Sequence, residues 1–340
     1  MNPVCRFVWA ACASVVILVS VTLVPRIAAA EDIKVGTIKG VGLGALFLSA
    51  EKGYFKDEGL NAEIVFFDSG EPIAVAVAGS AVDFGVDGVS AGLYNLAGQG
   101  ALRLIAGSAS EHAGFRAQGY IVSNHAFDAG LKSMKDFAGR SIGIPVVGST
   151  QHYAINLLAE KYGYDMKGLK IVALQSNVNI ASSVTGGQTD AGILPQAAAL
   201  PVVNRGDAKL LGWVGDETPW QISAVWTAKK TADDRAKTVQ AFLRAYRKGA
   251  QAYHDAFIGP GEVRQDGPTT GEAMAIIGKY TGLSLDLVKL GIGYHDAEAR
   301  LNVADVLHQI AWFKSQGMIK SEIDGNAIID RRYVVPLPEK

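Results

Sequence analysis

The stretch Glu51-Lys52-Gly53-Tyr54, followed by Gly59-Leu60 and then by Asp83-Phe84-Gly85, occurs twice in this chain in closely similar form. The second copy reads Glu160-Lys161-Tyr162-Gly163-Tyr164, then Gly168-Leu169, then Asp190-Ala191-Gly192. The two leading glutamates are 109 positions apart and the two aspartates are 107 positions apart. This nearly constant offset indicates two copies of one structural unit.

The same order of predicted elements surrounds each copy. A strand (33–38 or 141–145) leads into a turn of small residues, then a helix, a second strand (62–67 or 170–174) and a second helix. Alternating strands and helices are typical of parallel sheets with helices on both faces. We therefore predict two similar α/β lobes that face each other and hold a ligand between their turns.

The first thirty residues have the pattern of a secretory signal peptide. Arg6 provides a positive charge, residues 8–24 form an apolar core, and Ala28-Ala29-Ala30 before Glu31 forms a small-residue cleavage site. The alternative is an uncleaved anchor, although the apolar run is shorter than the ~20 residues that a membrane-spanning helix needs. We expect cleavage and a soluble periplasmic protein.

Composition excludes several classes of protein. The chain has 340 residues, which favours about two domains. The 32 Lys and Arg residues balance 33 Asp and Glu residues, so no overall positive field favours nucleic acid as a partner. Cys5 and Cys12 both lie in the predicted leader. The mature chain is therefore expected to lack disulfides, thiolate metal sites and a cysteine nucleophile.

The predicted domains divide the mature chain between two lobes. Residues 31–120 and 222–340 are assigned to lobe 1 and residues 121–221 to lobe 2, with crossing strands near 121–122 and 222–227. Three later helices, at 231–257, 271–280 and 303–316, have no counterpart in the repeated pattern. We expect them to pack mainly on lobe 1.

Taken in order, several short motifs resemble the nitrate, sulfonate and taurine class of periplasmic solute-binding proteins, which are related to thiamine-precursor-binding proteins. They lie between residues 33 and 325, and each is weak alone. The motifs are Ala50-Glu51-Lys52-Gly53-Tyr54-Phe55, Glu58-Gly59-Leu60, Ser69-Gly70, Ala81-Val82-Asp83-Phe84-Gly85, residues 131–143, Gly148-Ser149-Thr150, Gly187-Gln188-Thr189-Asp190-Ala191 and Lys279-Tyr280-Thr281-Gly282.

This resemblance implies a type II periplasmic binding protein fold, with two Rossmann-like lobes joined by two hinge strands. It also implies a non-enzymatic, monomeric capture component of an ABC importer, without cofactor or metal. No Gly-x-x-x-x-Gly-Lys-[Ser/Thr] loop is present, so the ATPase and the permease are expected to be separate chains. The expected ligand is a small organic anion, either a sulfonate, a carboxylate or a nitrate-like ion.

Ligands of open α/β sheets bind beyond the carboxyl ends of the strands, where free amides at helix starts favour anions. The resemblance places the binding residues of the family at these same turns. We predict ligand-binding roles for residues at four such turns and around the cleft mouth. They are Lys39, Gly40, Ser69, Gly70, Gly88, Ser90, His112, Arg116, Gly148, Ser149, Thr150, Gln151, His152, Gln196 and Trp213.

Several of these residues also have simpler structural explanations. Ser149 or Thr150 could cap a helix, Arg116 could pair with Glu111, and Trp213 could belong to the core. Asp87 and Glu71 would repel an anion, so we expect them to cap helices or face solvent unless the ligand carries a donor. The resemblance implies a carboxylate near Leu194-Pro195-Gln196 in some relatives that bind amine-bearing ligands. This stretch contains no acid, which disfavours taurine-like zwitterions.

Four alternative functions remain open. Gly88-Val89-Ser90-Ala91-Gly92 matches the nucleophile elbow of α/β-hydrolases, with Asp286 and His295 as conceivable partners. Gly40-Val41-Gly42-Leu43-Gly44 partly matches a dinucleotide-binding fingerprint, but its third glycine is one position early. A thiamine-pyrimidine synthase-like enzyme or a ligand-binding partner of a membrane sensor could also use this fold.

Overall fold

The computed structural model describes residues 30–320 and 322–338. Apart from Ala30, the predicted signal peptide lies outside the described residues. The strands are β1 (Glu31–Thr37), β2 (Leu60–Phe66), β3 (Phe84–Gly88), β4 (Leu102–Gly107), β5 (Ala109–Glu111), β6 (Gln118–Ser123), β7 (Ser141–Ile144), β8 (Lys170–Ala173), β9 (Ala191–Pro195), β10 (Ala208–Trp213), β11 (Trp220–Gln221), β12 (Ser223–Ala228), β13 (Ile258–Gly259), β14 (Val263–Arg264) and β15 (Tyr294–His295).

Fifteen α-helices connect these strands within the described part of the chain, together with short 3-10 turns at Val41–Leu43, Met134–Phe137 and Met166–Gly168. The helices are α1 (Gly44–Glu51), α2 (Tyr54–Asp57), α3 (Gly70–Ala78), α4 (Ala91–Gly98), α5 (Asn124–Asp128), α6 (Thr150–Tyr162), α7 (Asn177–Thr185), α8 (Gln196–Asn204), α9 (Val214–Glu217), α10 (Lys229–Asp234), α11 (Ala236–Phe257), α12 (Thr270–Thr281), α13 (Leu285–Leu290), α14 (Val303–Ser315) and α15 (Gly325–Ile328).

Two five-stranded sheets form the two lobes, and their strand orders correspond element by element. The first has the order β2-β1-β3-β12-β4, and the second, read from its β8 edge, has the order β8-β7-β9-β6-β10. In both sheets the first three strands are parallel and the fourth is antiparallel to both of its neighbours. The duplication predicted from the sequence is thus confirmed by the strand order, but the sheets are mixed rather than wholly parallel.

The repeated aspartate has the same structural role in both lobes. Asp83 accepts a hydrogen bond from the amide of Lys34 at 2.8 Å, and Asp190 accepts one from the amide of Ser141 at 2.7 Å. Each bond joins the chain just before the third strand to the first strand of its sheet. The repeated Asp motif therefore holds two neighbouring strands of each sheet together, so a structural requirement explains its presence in both copies.

The chain passes between the two sheets twice, once between β5 and β6 and once between β10 and β11. Beside these crossings, β5 pairs with β11 and β15 in a small three-stranded sheet. The antiparallel strand of each large sheet, β12 or β6, follows a crossing, so the chain enters each sheet from the other lobe. This route explains the mixed sheets that the alternating pattern alone did not predict.

The predicted helix over residues 231–257 is divided at Arg235, which has φ of −120° and ψ of 43°. Arg235 forms ion pairs with Glu31 and Asp83 at the base of the first sheet. These contacts hold the residue outside helical geometry, so α10 ends and α11 begins around it. Amphipathic spacing continues across the break, which is why the sequence predicts a single helix.

The C-terminal helices do not all pack on the first lobe. Helices α11 and α12 lie against α1 and complete the core of that lobe. Helix α14 instead contacts both lobes, because Trp312 and Phe313 pack against Tyr153 of α6 while Phe313 also contacts Tyr94 of α4. The prediction that these helices belong mainly to lobe 1 is therefore incomplete for α14.

Within residues 30–320 and 322–338, no helix has the length and apolar character that crossing a membrane requires. The same residues contain no cluster of three or more His, Cys, Asp or Glu side chains arranged to hold a metal ion.

Candidate functional site

A cleft of about 580 Å³ lies between the two lobes. Its walls come from the carboxyl ends of strands in both sheets and from the segment around α13. The lining residues are Ile38, Lys39, Gly40, Val41, Gly42, Leu43, Asp87, Gly88, Ala109, Ser110, Ala117, Gln118, Thr150, Gln151, Asn177, Pro195, Ala197, Ala198, Ile222, Ser223, Leu283, Leu287, Gly291 and Gly293. Five of the predicted site residues are among them: Lys39, Gly40, Gly88, Thr150 and Gln151.

The turn after β1 forms one wall of the cleft. Gly40 precedes the 3-10 turn and accepts a hydrogen bond from the amide of Leu43 at 3.1 Å. The amides of Val41 and Gly42 occupy the first turn, where a helix offers no internal acceptor. They can therefore donate to a ligand in the cleft. Gly44, the last glycine of the dinucleotide-like motif, instead permits packing, since a methyl group there would lie 2.7 Å from Ile277 and Tyr253.

Lys39 and Asp87 are the only charged side chains that line the cleft among the described residues. Lys39 is exposed at the rim, with its Nζ 5.6 Å from the centroid of the Phe66 ring. Asp87 is only 8% exposed, at the carboxyl end of β3. Burial raises the pKa of Asp87 to about 7, and the nearby amide of Gly88 opposes this shift. The cleft therefore contains one cation at its rim and one carboxyl group in its wall.

The position of Asp87 differs from the sequence expectation, because the side chain neither caps a helix nor faces bulk solvent. Gly70, at the start of α3, lies directly beside it, and a methyl group on Gly70 would be 2.7 Å from Oδ2 of Asp87. Ser69 is exposed and makes no side-chain capping bond to α3. Neither Ser69 nor Gly70 lines the cleft, although Gly70 makes room for a residue that does.

Ser90 lies outside the cleft lining and caps α4. Its hydroxyl accepts a hydrogen bond from the amide of Leu93 at 3.3 Å. The imidazole of His295 bonds instead to the carbonyl oxygen of Gly42 at 2.7 Å and packs against Tyr253. Asp286 is exposed in the first turn of α13. The nucleophile-elbow motif is therefore not part of a Ser-His-Asp arrangement.

The turn Gly148-Ser149-Thr150-Gln151-His152 leads into α6 on the opposite side of the cleft. Only Thr150 and Gln151 line the cavity. Ser149 caps α6, since its hydroxyl accepts from the amide of His152 at 3.4 Å. The amide of Gly148 donates to Nδ1 of His152 at 3.1 Å. The carbonyl oxygen of Gly148 accepts a hydrogen bond from the amide of Ala91 in the first lobe, also at 3.1 Å. Three of the five predicted residues therefore build the turn.

His152 is buried against α14. Its ring makes an edge contact with Trp312, with the ring centroids 5.1 Å apart. Burial lowers the pKa of His152 to about 4, so the side chain is neutral near pH 7 and accepts the bond from Gly148. Its imidazole does not provide the positive charge that would attract an anion.

A chain of side-chain hydrogen bonds runs from the cleft towards the crossing segments. The Thr150 hydroxyl donates to Oε1 of Gln151 at 2.9 Å, and Nε2 of Gln151 donates to Oε1 of Gln118 at 3.2 Å. Nε2 of Gln118 then donates to Oε1 of Glu111 at 2.8 Å. Glu111 is 1% exposed, and burial raises its pKa to about 8. This chain connects residues that line the cleft to a carboxyl group beside the first crossing.

The remaining predicted residues lie outside the cleft lining. His112 stacks on Tyr294 with ring centroids 4.3 Å apart, and Arg116 lies 6.0 Å from the Trp213 ring. No ion pair joins Arg116 to Glu111 among the described residues. Trp213 packs over Gly119, where a methyl group would lie 2.9 Å from its ring. The Gln196 amide, oriented to donate, bonds to the carbonyl oxygens of Arg116 and Leu290.

The sequence did not predict the apolar residues of the cleft wall, or the polar lining residues Asn177 and Gln118. Leu283, Leu287, Gly291 and Gly293 come from a segment without counterpart in the repeated pattern, so their position depends on tertiary packing. Asn177 follows β8 at a strand end and could have been found by the rule that identified the other turns. Gln118 begins β6 and carries no comparable signal.

Comparisons with known proteins agree with this architecture. The sulfonate-binding protein SsuA from Escherichia coli has 16% identical residues and a TM-score of 0.70, with 91% of this chain and 94% of that chain covered. SsuA from Xanthomonas axonopodis, solved with bound MOPS, has 16% identity and a TM-score of 0.67, with coverage of 89% and 99%. These likenesses show the fold of periplasmic binding proteins.

A curated protein of Brucella abortus, described as a binding protein, is 26% identical over 175 residues. The match covers 51% of each chain, so this chain spans about half the length of the curated relatives it matches. The family model described as NMT1/THI5 like matches residues 43–256, which is more than half of the chain. With two duplicated lobes, a cleft between them and this match, the chain belongs to the NMT1/THI5-like family.

Proposed function

We propose that this protein is the periplasmic substrate-binding component of an ABC importer and captures a small organic acid. The observation that carries the proposal is the cleft between two matching lobes, where turns from both lobes meet. A ligand there contacts both lobes at once. It stabilises the closed form by the difference between its affinities for the closed and open states. The closed form is then the shape that a permease recognises.

The size and lining of the cleft favour an organic ligand. Its volume of about 580 Å³ lies within the ~300–1,000 Å³ of pockets that hold organic molecules. Ile38, Leu283, Leu287 and Ile222 supply apolar surface along its walls. A nitrate-like ion would leave most of this surface in contact with water. We therefore favour a sulfonate or carboxylate with an apolar body.

The acid group has two suitable positions. The first turn of α6 presents the amides of Thr150 and Gln151 to the cleft, together with the positive end of the helix dipole. The turn after β1 presents the amides of Val41 and Gly42 beside the Lys39 side chain. Both positions combine backbone donors with a positive potential, which is the usual arrangement for binding oxyanions.

Location, partners and domain motion complete the proposal. We propose export with loss of residues 1–30, a monomeric mature protein, and a permease and ATPase that are separate chains. We also propose that the two lobes move as units about the crossing segments at 112–117 and 214–222, close to the domain bounds predicted from the sequence. Mass spectrometry of the periplasmic protein tests the cleavage site, and light scattering tests the monomer.

Thermal-shift screening tests the ligand class. Sulfonates, carboxylates, nitrate and thiamine precursors are added to the purified protein, and the shift in melting temperature is measured. A ligand at 100 times its Kd stabilises the folded state by about 2.7 kcal/mol. We expect shifts with organic acids that carry an apolar body. Stabilisation by nitrate alone, or by neutral compounds but no acid, would contradict the proposal.

A further inference from the structure

The carboxylate of Asp87 lines the cleft and would repel a simple anion. The described chain buries four carboxyl side chains below a tenth of their full exposure: Asp87, Glu111, Asp296 and Asp330. Asp296 pairs with Arg300, Asp330 pairs with Arg332, and Glu111 accepts a bond from Gln118. Asp87 alone among these four interacts with no other side chain, only with the amide of Gly88. A buried carboxylate without such compensation is costly to retain.

The surroundings of Asp87 indicate that its partner is a group of the ligand bound in the cleft. The side chain lines the cavity, and the absence of a side chain at Gly70 leaves room for its Oδ2. Across the cleft, Cγ2 of Thr150 would be 3.1 Å from a methyl group on Gly88. A ligand group bound to Asp87 would therefore lie close to both lobes. An ammonium group is the natural partner, since it supplies charge and donors together.

We propose that the cleft takes an organic acid that also carries an amino group, with Asp87 as the residue that selects for the amine. This inference rests on the proposed function. The only charged side chains of the lining are Lys39 and Asp87, one of each sign, which complements a ligand with one acid and one amine. Leu283 and Leu287 would contact the apolar segment between them. Leu194-Pro195-Gln196 in the second lobe has no carboxylate that could bind an amine, and Asp87 of the first lobe provides one instead.

Matched probe pairs test the proposal by calorimetry on the protein exported and purified from the full-length chain. The pairs are 4-(aminomethyl)benzenesulfonate with 4-methylbenzenesulfonate, 4-(aminomethyl)benzoate with 4-methylbenzoate, and 6-aminohexanoate with heptanoate. We expect the amine to bind at least tenfold more tightly in at least one pair. Asp87→Asn should reduce that preference below threefold, and Asp87→Ala provides the same test if the asparagine variant folds poorly.

Glu71→Gln is the matched control. Glu71 follows Gly70 in α3, but its carboxylate lies against Gly92 of α4 and outside the cleft lining. The amine preference should survive this substitution. An amine preference that persists in Asp87→Asn, or that Glu71→Gln abolishes equally, would overturn the assignment to Asp87.

The pH dependence provides a readout that a purely structural role would not change. Because burial raises the pKa of Asp87 to about 7, its negative charge develops between pH 6 and pH 8. Of the charged and titratable side chains on the segments around Asp87, Lys39 and Asp68 follow β1 and β2, Glu71 is in the first turn of α3, and His152, Glu160 and Lys161 belong to α6. The charged residues of β1, which are Glu31, Asp32 and Lys34, lie towards the amino end of that strand, and α4 and β12 carry no charged residue. Affinity for the amine probe should rise over this range and affinity for its methyl partner should fall. Both trends should vanish in Asp87→Asn.

The probes separate failure of this inference from failure of the proposed function. If the acids bind without any amine preference, the role of Asp87 fails and the organic-acid proposal stands. If benzylamine and hexylamine bind through Asp87 while no simple acid binds, the organic-acid proposal fails and the role of Asp87 stands. If none of the acids or amines binds, both proposals fail.

Discussion

Two buried carboxyl groups, Asp87 and Glu111, have no ion-pair partner among the described residues, and burial raises the pKa of both. Glu111 differs from Asp87 because it belongs to the hydrogen-bonded chain that starts at Thr150. The negative charge of Asp216 raises the pKa of Glu111 further. Near neutral pH, Glu111 therefore carries a proton and acts as a neutral group beside the crossing segments.

Glu111→Gln should stabilise the protein progressively as the pH rises. The pKa of Glu111 is about 8 in the folded protein and 4.5 in its reference state. Between these values the folded state holds a proton that the unfolded state has lost, so the free energy of unfolding falls as pH rises. Glutamine does not titrate, so Glu111→Gln removes this pH-dependent loss of stability, which is on the order of a few kcal/mol. Melting temperatures of both proteins at pH 5, 7 and 9 should diverge with pH. A constant difference would contradict the assignment.

Thr150 and Ser149 are adjacent, but their predicted effects differ. Ser149→Ala removes the cap of α6 and should cost about 1 kcal/mol of stability. Thr150→Val removes a hydroxyl that lines the cleft and should weaken binding of the best acid from the screen without a comparable loss of stability. Urea denaturation and calorimetry measure the two effects. Loss of affinity only in the Ser149 variant would show that Thr150 does not contact the ligand.

At the residue scale, the sequence predicted the turns better than it predicted the individual side chains. Strand-end reasoning points to the turns that contain Lys39, Gly88 and Thr150, and these three residues line the cleft. It could not distinguish Ser149 from Thr150, because both hydroxyls lie at the start of the same helix and only the helix register decides which one caps it. His112 is predicted near the cleft mouth and Trp213 as part of an apolar wall. In the structure His112 stacks on Tyr294, and Trp213 packs against Gly119.

At the scale of elements, α14 is the main feature that the duplicated pattern did not reveal. It contacts α6 of the second lobe through the Tyr153 hydroxyl, which donates to Oδ1 of Asp305 at 3.0 Å and lies 2.8 Å from Nδ1 of His308. Asp305 also accepts from the amide of Gln221 at 2.9 Å, next to the second crossing. This helix therefore connects both lobes and a crossing segment, so it can limit how the lobes move.

Tyr153→Phe should destabilise the protein by about 1–3 kcal/mol, because it leaves a partly buried oxygen of Asp305 without its donor. Tyr162→Phe on the same helix is the matched control. Tyr162 donates to Glu217 at 2.7 Å within the second lobe and is less buried. Loss of the Tyr162 hydroxyl should lower the free energy of unfolding, measured by urea denaturation, by less than loss of the Tyr153 hydroxyl. Equal or reversed costs would mean that the contact between α6 and α14 contributes little.

The duplication of the lobes was predictable from the sequence because the same requirement recurs in each copy, as the Asp83 and Asp190 bonds show. The antiparallel fourth strand of each sheet was not predictable from the repeated pattern, because each enters its sheet from the other lobe. The position of α13 was not predictable, because its six residues have no repeated counterpart and too short a periodic pattern. The break at Arg235 was also missed. It depends on ion pairs with Glu31 and Asp83, which are distant in sequence.

At the scale of the whole molecule, the absence of a side chain at Gly88 lets the two lobes approach each other closely. A methyl group on Gly88 would lie 3.1 Å from Cγ2 of Thr150, so valine there would hold the lobes apart. We expect Gly88→Val to weaken binding of the best acid by tenfold or more, with little change in melting temperature. Gly168→Ala is the control, since a methyl group there has no neighbour within 4 Å. Unchanged affinity in Gly88→Val would show that binding does not require this approach of the lobes.

The central claim is that two matching lobes enclose an organic acid in the cleft between them. A crystal structure with the most stabilising acid from the thermal screen tests this claim most directly. We expect the acid group within hydrogen-bonding distance of the Thr150 and Gln151 amides or the Val41 and Gly42 amides, with both lobes in contact with the ligand. Electron density for the acid on the outer surface, or contacts to one lobe alone, would contradict the account.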